Sequence, residues 1–246
     1  MDRDGAVARI QEKTGFRQDQ VAAITTALQD AQDELERSES LPWFLLNRDV
    51  AFTVTPLSPP TATPLEVTLP TGFIKESDDK DGNLRWQQSV PGPSVFLNKM
   101  DLREAENFFY AQRLAWWQDD VEIIQSEDTK FTPGVPLAYV LGRFTVVIYP
   151  GPDIVYNMLW SFYAHDARLD GGNLTNQWLT NAPWLLIGKA GMLFAASIRD
   201  ADAMAAFTSI VYGNPQTGVR GAEKALQAQG YERETGGRSY SMGARL

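Results

Sequence analysis

Apolar residues recur at spacings of three and four between positions 19 and 37, which predicts an amphipathic helix. One stripe of this helix consists of Val21, Ile24, Leu28, Ala31 and Leu35. The polar remainder consists of Gln29, Asp30, Gln32, Asp33, Glu34 and Glu36. A shorter apolar pattern before Gly15 predicts a preceding helix that ends at this glycine. The chain therefore begins with two helices.

Short runs that favour β-structure follow. AFTVTP at 51–56 and LEVTLP at 65–70 predict strands around an exposed loop, and GFIKE and NLRWQQ predict a hairpin with an acidic tip. The stretch TVVIYPGPDIVYNMLWSFYA at 145–164 predicts a second hairpin. Both faces of its second strand are largely apolar, and Tyr156, Met158, Trp160 and Phe162 share one of them. We expect a central strand that helices cover on at least one side.

Three further helices are predicted. Asp101 and Glu104 have the spacing of a capping box, so a helix runs from 101 to about 119. Another begins at Pro183, continues to about 199 and contains Gly188 and Gly191. Each interior glycine costs about 1 kcal/mol relative to alanine, so the pair indicates close packing against another backbone. The last helix begins near Asp202, breaks at 213–215 and resumes over 218–229.

These elements predict an α+β fold, in which a helical bundle packs with a small, mostly antiparallel β-sheet. We expect one domain over residues 1–229, with β-rich regions at about 51–97 and 143–164, and an extended C-terminal arm over 230–246. The arm combines aromatic and arginine anchors of the kind that disordered segments use when they fold on a partner. These anchors are Tyr231, Arg233, Arg238, Tyr240, Arg245 and Leu246.

The amino-acid composition limits the kinds of functional site that the chain can form. The chain has 246 residues, no cysteine and a single histidine, so thiol nucleophiles and zinc–thiolate sites are excluded. A net charge of −9 argues against a protein that grips nucleic acid, because phosphate binding requires clustered Lys and Arg. No apolar run has the length of a bilayer span, and the first residues lack the apolar core of a signal peptide. We expect a chain made in the cytoplasm, with no membrane partner.

Two candidate sites have simpler structural interpretations. His165 and Asp166, with Asp170 nearby, resemble a base and its orienting carboxylate, although a histidine at the start of an Asp/Gly-rich turn is more often a surface residue. Ser77, Asp79 and Asp81 have the spacing of half a calcium loop, but Gln88 stands where the bidentate glutamate belongs and a hairpin turn is favoured. We therefore expect no catalytic residues, no metal and no cofactor.

Four segments in order carry a family resemblance: LPWFLLN at 41–47, LPTGF at 69–73, GVPLAYVLGRFTVVIYPGPDIVYNMLWSFYA at 134–164 and LTNQWLTNAPWLLIGKAGMLFAASIRD at 174–200. The chain resembles the head-to-tail adaptor, or connector, proteins of tailed bacteriophages, particularly the short-tailed type. The matching positions are Gly134, Pro136, Tyr139, Pro150 to Asp153, Thr175, Asn176 and Leu179. The break at 213–215 departs from the family, in which the last helix is continuous.

The resemblance implies a structural virion protein at the head–tail junction. Such a protein assembles as a ring of about twelve copies beneath the portal protein, contacts the tail nozzle or tube, and lines a channel through which DNA passes without specific binding. The arm at 230–246 would then bind the portal, and Trp43 and Phe44 would hold the N-terminal helices to the body.

Two alternatives remain open at this stage. A carbohydrate-binding or carbohydrate-cleaving protein would use exposed aromatic side chains with carboxylates such as Asp119, Asp120 and Glu122. A subunit of a bacterial assembly without a viral role would have the same pattern.

Overall fold

The computed structural model describes residues 1–16, 18–57, 64–77, 84–87, 93–105, 107, 133–214 and 218–235, the last five by their backbone alone. Helices and mostly antiparallel strands both occur, so the predicted α+β fold is confirmed. The chain divides into two compact units. Residues 1–45 and 165–246 form a helical unit, and residues 46–164 form a β-rich unit that interrupts it in the sequence.

The helical unit contains six helices in its described residues: α1 Arg3–Lys13, α2 Val21–Glu36, α3 Gln177–Asn181, α4 Pro183–Ser197, α5 Ala201–Tyr212 and α6 Ala222–Thr235. Helix α4 packs against α2 and α5, and α1 contacts both α2 and α4. The predicted helices at 19–37 and 183–199 are confirmed within two residues. Helix α3 was not predicted.

Local side chains fix where the helices of this unit begin. Asp2 accepts a hydrogen bond from the Gly5 backbone N–H at 2.8 Å at the start of α1, and Asp200 accepts one from Ala203 at 3.0 Å at the start of α5. Pro183 occupies the first turn of α4, where its missing N–H costs nothing.

A glycine interrupts the helices of the C-terminal region. Gly213 has a φ of 82° and ends α5, so the predicted interruption of the last helix is confirmed. The chain then forms a pair of two-residue antiparallel strands at Gly213–Asn214 and Val219–Arg220. Helix α6 continues to Thr235, so residues 230–235 are helical rather than part of an extended arm. The run from Tyr231 to Thr235 contains neither Gly nor Pro, so nothing in it ends the helix.

The β-rich unit contains two sheets. Its strands are β1 Leu46–Val54, β2 Leu65–Thr68, β3 Phe73–Glu76, β4 Arg85–Gln87, β5 Ser94–Phe96, β6 Asn98–Lys99, β7 Ala138–Leu141, β8 Thr145–Tyr149 and β9 Tyr156–Ala164. The first sheet has the order β1-β9-β4-β5, and β3 pairs with β9 outside this path. The second has the order β2-β8-β7-β6, in which only β6 and β7 are parallel.

Both predicted hairpins are wrong. Strands β8 and β9 belong to different sheets. Strand β8 pairs with β2 along one edge and with β7 along the other. Strand β9 pairs with β1 along one edge and with β3 and β4 along the other. Strands β3 and β4 do not pair with each other: the nine-residue β9 is long enough to pair with both in succession along one edge.

The core of this unit lies between the two sheets. Tyr156, Met158, Trp160 and Phe162 of β9 are buried there, which confirms that they share a face and that β9 is central. Tyr139 and the β8 residues Val146 and Ile148 belong to the same buried cluster. The helices expected on at least one side of β9 do not cover this face, because the second sheet packs there.

The predicted helix at 101–119 begins as expected. Residues 102–105 are helical, and Asp101 Oδ1 accepts a hydrogen bond from the Glu104 N–H at 2.6 Å. Most of this helix lies outside the described residues. Within the described ranges, no helix combines the length and the apolar character that crossing a bilayer requires.

Candidate functional site

A buried carboxylate organises the polar contacts of the helical unit. Glu36, in the last turn of α2, is 2% exposed. Its Oε1 accepts hydrogen bonds from Gln32 Nε2 at 3.0 Å, from Trp178 Nε1 at 2.9 Å and from the Asp166 N–H at 3.3 Å. Its Oε2 lies 2.6 Å from Nδ1 of His165. We call Gln32, Glu36, His165, Asp166, Asn176 and Trp178 the Glu36 cluster.

The burial of Gln32 and Glu36 corrects the prediction that they lie on the polar side of α2. Both are 2% exposed. A signal for this burial was present, since Ile24, Leu28, Gln32 and Glu36 follow one another at four-residue intervals and therefore lie in one row. Because Gln32 and Glu36 are polar, the pattern assigned them to the exposed side of the helix.

Asp166 and Asn176 connect the Glu36 cluster to the start of α3. Asp166 Oδ2 accepts hydrogen bonds from the Gln177 N–H at 2.5 Å and the Trp178 N–H at 3.2 Å. Asn176 caps the same helix through the Leu179 N–H at 2.9 Å and donates to Gln32 Oε1 at 3.1 Å. Burial raises the pKa of the Asp166 carboxyl, and the charge of Glu36 adds to this, while the backbone hydrogen bonds act in the opposite direction.

The structure gives His165 a different partner from the one considered in the sequence. Its Nδ1 contacts Glu36, whereas Asp166 caps α3 and Asp170 accepts hydrogen bonds from Gly172 and Asn173 within its own turn. Those backbone hydrogen bonds lower the pKa of Asp170. A buried carboxylate beside a half-exposed imidazole can orient the ring, as in a general base. Here the same carboxylate also holds Gln32 and Trp178, which favours a structural role.

A second buried carboxylate lies in the β-rich unit. Glu76 of β3 is 9% exposed, and its Oε1 accepts hydrogen bonds from Tyr139 Oη at 2.6 Å and Trp160 Nε1 at 3.1 Å. Lys99 Nζ forms an ion pair with Oε2. Burial and the hydrogen bond to Glu76 raise the pKa of the Tyr139 phenol. This cluster ties β3, β6, β7 and β9 together across both sheets.

The two glycines of α4 lie against α5. A Cβ on Gly188 would be 2.6 Å from Val211 Cγ2, and a Cβ on Gly191 would be 2.6 Å from Phe207 Cγ. Real Cβ atoms do not approach other atoms so closely. Both positions therefore permit a helix contact that any side chain would obstruct.

The aromatic residues at 43–44 contact the C-terminal half of the helical unit. The Phe44 ring packs edge-on against Trp178, with centroids 5.0 Å apart, and Trp43 packs edge-on against Phe44 at 5.6 Å. These contacts join the segment after α2 to α3, which is compatible with the expected role of the pair.

Several predicted residues cannot be assigned a place. Tyr231 and Arg233 lie on the helical backbone of α6, and Arg238, Tyr240, Arg245 and Leu246 lie outside the described residues. The same holds for Asp79, Asp81 and Gln88 of the calcium-like loop and for Asp119, Asp120 and Glu122. The portal-binding arm and the carbohydrate alternative therefore stay predictions. Within the described ranges, no group of three or more His, Asp or Glu side chains could hold a metal ion.

The first sheet has two outer strands among the described residues. Strand β1 pairs with β9 along one side, and β5 pairs with β4 along one side, so these two strands form the opposite edges of the sheet among the described residues. Val95 and Phe96 of β5 are each 44% exposed.

No model of a known protein family matches this chain, and no curated protein matches it significantly.

Proposed function

We propose that this chain is a structural virion protein that forms a ring beneath the portal and joins the capsid vertex to the tail. The basis is the ordered resemblance of residues 41–200 to head-to-tail adaptors, together with an α+β fold. In this proposal the ring surrounds the channel through which DNA leaves the capsid. A net charge of −9 is compatible with that passage, because a surface of this sign does not retain phosphates.

The observation that carries the proposal is the exposure of α6. Every described side chain of this helix, over residues 222–230, is half-buried or exposed. Helix α6 contacts α4 and α5, but a helix of about this length is only marginally stable by itself in water, and Gly230 weakens it further. A partner that covered α6 and the residues after it would stabilise the helix. The portal is the partner we assign to this C-terminal element.

Mass photometry tests the proposal. Portal rings from the same genome are mixed with the full chain, with a chain that ends at Thr235 and retains α6, and with a chain that ends at Gly221 and lacks it. We expect many copies of the full chain to add to each portal ring, fewer copies of the chain ending at Thr235, and none of the chain ending at Gly221.

Circular dichroism and thermal unfolding of the two shortened chains provide the folding control. If the full chain adds no mass to the portal, the proposal is wrong. A glycan-hydrolysis screen then tests the carbohydrate alternative.

A further inference from the structure

Strand β1 presents an uncharged backbone edge. In the antiparallel pairing of β1 with β9, Val50 is opposite Trp160 and Val54 is opposite Tyr156. Alternate residues of such a strand direct their N–H and C=O groups away from the partner. Residues 50–54 read VAFTV, with no charge and no proline to discourage a further strand.

A bulge protects the first half of β1 and leaves the second half open. The register shifts between Asn47 and Val50, and Asp49 adopts a φ of 53° there. The Asp49 N–H donates to Ser161 Oγ at 3.1 Å, and Arg85 contacts the Asp49 carboxylate at 2.5 Å. Bulges and charges are the usual means by which proteins prevent edge pairing, and they end where residues 50–54 begin.

The opposite edge of the same sheet is also uncharged. Strand β5 reads SVF and pairs with β4 alone among the described residues. Thr53 and Ser94 lie at the two ends of one row across the sheet, because Thr53 is opposite Asn157, Asn157 is opposite Gln87, and Gln87 is opposite Ser94. Register partners share a face, so this whole row lies on one side of the sheet.

The strand order makes the two edges compatible. Each neighbouring pair in the path β1-β9-β4-β5 is antiparallel, so β1 and β5 run in opposite directions. When a second copy is placed beside the first in the same orientation, its β1 therefore meets β5 as an antiparallel strand. The alternation of strand directions then continues from one copy to the next.

We propose that, in the ring, β5 of each copy pairs with β1 of the next copy, so that the first sheet continues around the assembly. This inference rests on the proposed ring. A foreign peptide strand could pair with one of the two edges. A further copy of this chain, by contrast, carries a β1 edge that can pair with β5 and a β5 edge that can pair with β1. When the rotation between copies closes the assembly into a ring, head-to-tail contacts of this type leave no free edge. Only about three to five residues pair at each junction, so other surfaces of the ring contribute as well.

Cysteine cross-linking tests the pairing, and the absence of native cysteine makes it clean. The chain with Thr53→Cys and Ser94→Cys is assembled on portal rings and treated with a short bis-maleimide. Within one copy these positions are separated by three strand spacings, roughly 14 Å, which a shorter reagent does not bridge. We expect a ladder of covalent oligomers from the double variant and monomers from each single variant.

The outcomes separate the two proposals because mass on the portal is measured in the same mixture. Added mass without a ladder overturns the edge pairing and leaves the adaptor function in place. Dimers from Thr53→Cys alone also overturn it, since they indicate two-fold pairing of β1 with itself. No added mass overturns the adaptor function, and the pairing that rests on it.

A charge on the edge provides an independent test. Thr53→Lys should weaken assembly roughly tenfold or more, because edge lysines block strand addition. Asn157→Lys places the same charge on the same face, one strand further in, and should assemble like the unmodified chain. Equal assembly of the two lysine variants would overturn the pairing. Thermal unfolding shows whether both remain folded.

Discussion

Nδ1 of His165 lies 2.6 Å from Oε2 of Glu36, so a half-exposed imidazole closes one side of a fully buried carboxylate. The two residues are 129 positions apart in the sequence. Residues that lie before and after the β-rich unit in the sequence thus meet inside the helical unit.

The first prediction concerns this contact. His165→Ala removes the partner of Oε2 and should lower the free energy of unfolding by about 1–3 kcal/mol, because hydrogen bonds to charged groups have this magnitude. His165→Asn keeps a donor near the Nδ1 position and should retain most of the stability. Urea unfolding measures both. Arg168→Ala, which removes an exposed ion pair to Asp33, serves as the control and should change stability by less than about 1 kcal/mol. Equal losses for His165→Ala and His165→Asn would contradict the assigned hydrogen bond.

The second prediction concerns pH. Because burial raises the pKa of Asp166, the folded state binds a proton at this carboxyl more tightly than the unfolded state does. Its contribution to stability is therefore fully present below the ordinary pKa of 3.8 and is lost as pH rises through the higher folded-state value. Asp166→Asn cannot titrate, so the unfolding free energy of the unmodified chain minus that of this variant should fall with rising pH in this window. Urea titrations at a series of pH values measure it. A difference that rises with pH would show a lowered pKa instead.

The third prediction concerns the contact between α4 and α5. Gly191→Ala should destabilise the chain by about 1–3 kcal/mol, because the clash with Phe207 exceeds the gain in helix propensity. Gly230→Ala is the matched control: a Cβ there meets nothing within 4 Å, so the same change should leave stability unaltered or raise it by up to about 1 kcal/mol. Thermal unfolding measures both. Addition of Phe207→Leu should reduce the penalty at Gly191, and a penalty that stays unchanged would argue against the ring contact.

The fourth prediction concerns Glu76. Tyr139→Phe should cost about 1–2 kcal/mol, because Glu76 Oε1 loses one of its buried donors. In a chain that already carries Glu76→Gln the same substitution should cost less, with a coupling energy of about 0.5–2 kcal/mol. Tyr156→Phe, whose hydroxyl bonds to Asp153 at 2.7 Å, should be additive with Glu76→Gln. Urea unfolding followed by tryptophan fluorescence measures the unfolding free energies of the unmodified chain, the three single variants and the two double variants. Additivity at Tyr139 would contradict the coupling.

Helices were predictable from the sequence because their signals are local. The apolar stripe of α2 and the proline that opens α4 can be recognised from neighbouring residues alone. The same is true of the side-chain alternation in strand β9. Strand partners were not predictable in this way. An apolar strand such as β8 shows by its composition that it is central, but nothing in it distinguishes β2 and β7 from β9 as neighbours, so the predicted hairpin was wrong.

The buried carboxylates were missed for a related reason. Glu36 and Glu76 are tolerated in the core only because donors from distant segments reach them, at Trp178 for the first and Tyr139 for the second. Sequence patterns assign charged residues to the surface unless such partners are known. The four-residue row that ends at Glu36 was the one available signal, and no comparable row marks Glu76.

The interruption of the helical unit by residues 46–164 has a consequence for synthesis on the ribosome. His165 and Trp178 follow Glu36 by 129 and 142 positions, which at usual rates of translation corresponds to about 6–28 seconds. Until then the Glu36 carboxylate has only Gln32 among its side-chain donors, and every strand from β1 to β9 is made before His165. We therefore expect the β-rich unit to fold first and the helices, although they begin the chain, to be completed last.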